Sequence, residues 1–205
     1  MTASFGLFLL SAIGISLSGV MAPGPLTVAV ITKGYNDKYA GAYIGLGHGI
    51  IELPIMALVY FGYSNFLASP GIKQIIGLAG GIFLLFMGFM LFRNMNKTIG
   101  KAADNLPYSS LTTGIVLTGA NPYFFLWWAT IGFMLIFGAA EFGLMGLVVF
   151  AIVHVTTDLI WDQLISFTVF KTRHLWTQKV QKTIFGICAL VLVGFGIWFC
   201  VSAFS

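Results

Sequence analysis

Four residues of this 205-residue chain could exchange protons or hold a cation where ionisable groups are costly to keep: His48, Glu52, His154 and Asp158. Each lies in an apolar stretch, and an ionisable side chain inside a membrane span costs at least ~2.5 kcal/mol on insertion scales. Each histidine precedes its acid by four residues, so on a helix each pair shares one face. Imidazole titrates near neutral pH and a carboxylate below it, which suits a proton or cation path. The same four side chains also suit a divalent transition ion, and they form the candidate metal set. The structural alternative is that each histidine bonds its own acid and simply fixes how the helices pack. Asp162, one helical turn beyond Asp158, is expected at the membrane interface, pairing with Lys171 or Arg173.

The surrounding elements must be membrane helices. With 59% hydrophobic and 8% charged residues, the chain has too little polar surface to cover a soluble domain. It reads as an all-α polytopic membrane protein of six transmembrane helices, at about 4–32, 39–61, 73–92, 111–137, 142–170 and 183–203. Residues 1–93 make a first three-helix repeat, 94–110 a cytoplasmic linker and 111–205 a second three-helix repeat. Three crossings reverse direction, so the two repeats would be inverted. Counting ~1.5 Å per residue puts His48 ~14 Å deep from inside and His154 ~18 Å deep from outside, both near the midplane. Glu52 is then displaced outward and Asp158 inward.

Two of the expected spans carry helix breakers. From Met1 to Thr32 there is no charged residue, yet Ala22, Pro23, Gly24 and Pro25 interrupt the run. The prolines are expected to free the carbonyls of Gly19 and Met21. In the fourth span Pro122 is expected to free the carbonyl of Thr118, and Asn121 adds a side-chain amide. Unsatisfied backbone groups in hydrocarbon cost several kcal/mol each, so broken spans normally line a cavity, and matched breaks in two halves point to a transport site. Ala22, Pro23, Gly24, Pro25, Thr118, Asn121 and Pro122 are therefore the candidate substrate-binding residues.

Nine of the ten basic residues fall in the first, third and fifth loops, which places those loops in the cytoplasm and both termini outside. Spread in this way, they make no nucleic-acid patch. Gly41, Gly45 and Gly49, and again Gly77 and Gly81, form small-residue stripes that allow close helix approach and would also suit a homodimer. Cys188 and Cys200 stand twelve residues apart on one expected helix, with α-carbons ~18 Å apart, so they cannot bridge. No zinc or redox motif and no cofactor are expected. The aromatic run after Pro122 is most simply lipid-facing or core filler, with Tyr123 or Trp127 the candidates to touch substrate, and Trp161, Trp176 and Trp198 are expected as interfacial anchors.

The run Met21 to Pro25, the glycine-rich stretch Gly34 to Gly49, Glu52, Asn121 with Pro122, and Asp158 together resemble the lysine-exporter (LysE/RhtB) family of translocators. The resemblance covers most of the chain. It implies a secondary exporter of amino acids or related small metabolites in a prokaryotic cytoplasmic membrane, usually driven by the proton gradient; the paired breaks and the ionisable residues near the midplane are expected to give it alternating access to a midplane site, with no enzymatic activity. His48 and His154 rest on their own spacing and are not carried over from the family. The wider superfamily includes divalent-cation exporters and thiol-electron carriers; the latter need a cysteine beside the proline, where this chain has Ala22 and Ala120 or Asn121. A divalent metal exporter using His48, Glu52, His154 and Asp158 is the alternative, and a non-transporting membrane subunit is a third.

Overall fold

In the computed structural model, residues 4–22, 24–63, 70–94 and 108–204 are described. Pro23 and most of the expected linker lie outside the described residues. Every regular element among them is helical. The first helix, α1 (Phe5–Val20), begins on Ser4, whose hydroxyl accepts the Leu7 amide at 3.4 Å. α2 (Pro25–Gly34) starts with Pro25, a position where the missing N–H costs nothing. The two are bent by 79° relative to each other. α3 (Ala40–Leu58) runs into a wide π turn, Val59–Tyr63, in which Gly62 adopts φ 91°, a conformation open to glycine.

α4 spans Pro70–Asn94. α5 (Ser110–Gly119) is capped by the Ser109 hydroxyl, and α6 (Pro122–Trp127) by the Asn121 side chain, which accepts the Tyr123 amide at 3.1 Å. A second π turn, Trp128–Gly132, leads into α7 (Phe133–Ala140). α8 (Gly143–Thr172) and α9 (Gln178–Ser202) complete the chain.

Four stretches are long and apolar enough to cross a bilayer, namely Ala40–Gly62, Pro122–Ala140, Gly143–Leu175 and Gln178–Val201, and the bent α1/α2 pair makes up to five. The chain is thus an all-helical polytopic membrane protein with both expected proline breaks in place. The third expected span corresponds to α4, of which only Gly81–Arg93 stands as a shorter apolar helix. The fourth is divided into the short helix Ser110–Gly119 and the span Pro122–Ala140.

The breaks are better satisfied than proline alone would leave them. The Gly19 carbonyl, expected free, accepts the Ala22 amide at 3.1 Å, and the Thr118 carbonyl accepts the Asn121 amide at 3.0 Å. In both places the chain tightens into a three-residue turn before the proline, a common way to finish a helix. The Ala22 carbonyl takes the Thr27 hydroxyl at 3.3 Å.

Glycine sets how the helices pack. α3 packs on α5 and α8, α1 on α8, α2 on α3 and α8, and α4 along α9. A Cβ on Gly41 would run into the α8 backbone at Asp162, and one on Gly34 would meet Ser166 at 2.7 Å. Gly47 and Gly114 face each other where α3 crosses α5, while Gly81 lies against Gly196 and Cys200 of α9. Gly41, Gly45, Gly49 and Gly81 of these stripes thus meet helices of their own chain.

At the start of α3, residues from the first, third and fifth loops meet. Lys33 Nζ donates to the Tyr108 carbonyl at 2.7 Å, and the Tyr35 ring lies 6.4 Å from that of Trp176. Gly41→Leu should cost ~1–3 kcal/mol or more through overpacking, lowering the thermal midpoint of the purified protein in detergent. Gly14→Ala, with nothing within 4 Å of the added methyl, should hold or raise it.

Candidate functional site

The four ionisable residues singled out above converge on one point. α3 carries His48 and Glu52, α8 carries His154 and Asp158, and the close approach that Gly41 and Gly45 allow brings the two pairs face to face. Glu52 Oε1 lies 3.2 Å from His48 Nε2 and 3.1 Å from His154 Nε2. Asp158 Oδ2 lies 3.5 Å from His48 Nε2 and 3.6 Å from His154 Nε2. Each imidazole therefore faces both acids, and nitrogen and oxygen alternate around a closed ring. The spacing on one helix accounts for only half of these contacts; the cross-helix half depends on the fold.

Outer partners fix both imidazoles. His48 Nδ1 is 2.8 Å from Thr118 Oγ1 and His154 Nδ1 is 2.6 Å from Ser16 Oγ. The Ser16 hydroxyl donates to the Ala12 carbonyl at 2.7 Å, so its oxygen is left to accept and His154 Nδ1 carries the proton. His154 Nε2 then meets the Glu52 carboxyl with no proton of its own if the ring is neutral. That 3.1 Å contact needs one further proton, on the ring or on Glu52.

The surroundings differ on the two sides. His154 sits among Trp127, Trp128 and Phe150 at ring distances of 5.6, 5.1 and 5.7 Å, an aromatic enclosure. Its side chain is 3% exposed, against 13% for His48, which meets the edge of Phe124 at 5.3 Å. His48 is thus the more exposed of the two histidines.

That cavity has about 100 Å³ of water-accessible space. At ~10–15 Å³ for each water position it holds several waters or a small organic molecule. Ala22, Gly24 and Pro25 of the first break line it, as does Asn121 of the second, together with all four ring residues. Thr118 and Pro122 are buried behind its wall, where Thr118 serves through its hydroxyl on His48 rather than through a freed carbonyl. Tyr123 and Trp127 also line it, as expected of residues that could touch substrate.

Asp162 is the clear departure from expectation. It is 2% exposed and lines the cavity, while Lys171 lies over the Phe167 ring and Arg173 over that of Phe170. The position of Asp162 along α8 is one turn beyond Asp158, but α3 covers it there through Gly41 and Gly45. Trp161, expected as an anchor, has its indole N–H buried without a partner. Ser16 was missed altogether: a lone serine in an apolar span carries no signal until a partner 138 residues away is placed beside it.

Comparison with known proteins agrees with this architecture. No solved structure matches the chain. A curated protein of Bacillus subtilis (strain 168), named "Putative amino acid efflux protein YcgF", is 29% identical over 195 residues, covering 91% of each chain. The family model described as LysE type translocator matches residues 17–203, a stretch that holds both breaks and the whole ring. The chain is a multi-pass membrane protein of a transporter family: it belongs to the LysE type translocators.

Proposed function

We propose that this protein is a proton-coupled secondary exporter of amino acids or related small metabolites, working by alternating access at the cavity between the two broken helices. One observation carries this: a closed ring of two imidazoles and two carboxylates, with a proton to share, opens onto a cavity walled by both breaks. Family membership and the name of the Bacillus relative support export in general. Glu52 and Asp158 would take up and release the proton, with His48, the more exposed histidine, as the relay. The leading amides of Leu26 and Thr27 at the start of α2, which have no partner within the helix, would face the acid group of the substrate. The Asn121 amide and the backbone around Thr118 and Pro122 would form the opposite wall.

The same reading includes six spans as two inverted repeats. Several helix contacts support it, because exchanging the halves maps these onto one another: α3 with α8, α4 with α9, α1 with α8 against α5 with α3, and α2 with α9 against α6 with α4. Basic residues gathered at the end where Lys33 meets Tyr108 support a cytoplasmic position for that end and external termini. The setting would be a prokaryotic cytoplasmic membrane.

A second reading has its own observation: donor atoms of His48, Glu52 and Asp158 lie within 4.8 Å of one another, close enough to share one divalent ion. If metal were the cargo, Mn²⁺, Co²⁺ or Zn²⁺ should raise the thermal midpoint of the purified protein, and His48→Ala should erase that rise.

For the exporter, Glu52→Gln and Asp158→Asn should each lower pH-gradient-driven transport at least tenfold in proteoliposomes tested with each of the twenty amino acids. Both variants should still purify as folded protein. Unchanged flux in either variant would remove that residue from the coupling.

A further inference from the structure

Asp162 lines the cavity, and nothing in the ring mechanism uses it. It is 2% exposed, and its Oδ2 is buried without a hydrogen-bond partner. A buried carboxylate oxygen left in that state is costly unless a donor or a cation reaches it. No lysine or arginine is among the described residues lining the cavity, and both histidines there point their Nε2 atoms at Glu52 and Asp158. Three of the six acidic residues of the chain thus face one small space that offers no fixed cation.

We propose that Asp162 is the amine subsite of the cavity: its free carboxylate oxygen takes the primary ammonium of the transported molecule. The inference rests on the export reading and deepens it. Substrates are then compounds with a free amine, and N-blocked analogues are refused because an amide nitrogen brings no charge and would strand the carboxylate. The α2 amides supply a complementary place for an acid group, but they form only backbone hydrogen bonds, so charge selection falls to Asp162.

The test uses the full chain in lipid nanodiscs. Binding of each of the twenty amino acids is measured by calorimetry, and every binder is then compared with its decarboxylated amine and its N-acetyl derivative. On the wild type, the N-acetyl derivative should bind at least fivefold more weakly than the parent, and the amine should compete with the parent. Asp162→Asn should weaken the parent at least fivefold and bring parent and N-acetyl derivative level, whereas Asp162→Glu should retain preference for the free amine. An N-acetyl derivative that binds the wild type within fivefold of the parent overturns the assignment, and this arm stands even if the asparagine variant fails to fold. A folded Asp162→Asn protein whose affinity for the parent changes by less than fivefold also overturns it, including the case where only pH-driven flux is lost. If no amino acid binds the wild type, both the subsite and the amino acid reading beneath it fall.

Discussion

Everything at the centre of this molecule depends on how closely two backbones approach. α3 can lie against α8 because Gly41 and Gly45 offer no side chain at the crossing, and only at that separation can Glu52 touch an imidazole from each helix. A wider crossing would leave two isolated histidine-acid pairs, each satisfied on its own helix. A closer one is unavailable because the helices are already in backbone contact at Gly41 and Asp162. Glycine therefore does more here than ease membrane packing: it sets the spacing of a polar cluster in a medium where misplaced polar groups are expensive.

The ring that results is nearly self-sufficient in charge. Two imidazoles and two carboxylates can neutralise one another as protons redistribute, which makes the burial of four ionisable groups tolerable. Yet the cluster is not saturated, because Glu52 Oε2 and Asp158 Oδ1 are buried without partners beside a cavity. The Ser16 hydroxyl, by donating to its own helix, commits His154 to one tautomer and leaves a proton to be shared with Glu52. Aromatic rings enclose His154, while His48 is the more exposed of the two imidazoles.

The proline breaks play a different part from the one that loss of helical bonds would suggest. Their carbonyls are largely recaptured by tight turns and by Thr27, so the breaks contribute shape and N–H donors more than free acceptors. α2 begins at the cavity wall with an uncapped first turn, whereas α6 has its start capped by Asn121. The two breaks, similar in sequence, thus present different chemistry to the same space.

The sequence by itself determined the membrane-helical class, the two breaks and the four ring residues, because apolar runs, proline and the four-residue spacing of histidine and acid act through local geometry. It also carried enough family signal in its Pro-Gly-Pro and Asn-Pro elements to point to the translocators. What only the tertiary structure decided were contacts between residues far apart in the chain: Ser16 on His154, Thr118 on His48, and the sharing of Glu52 by both imidazoles. The position of Asp162 belongs with these, since the turn count along α8 says how far the residue lies from Asp158 but not that α3 will bury it. Local periodicity fixes which residues share a helix face, whereas the depth and partners of that face are set by whichever helix the glycines admit beside it.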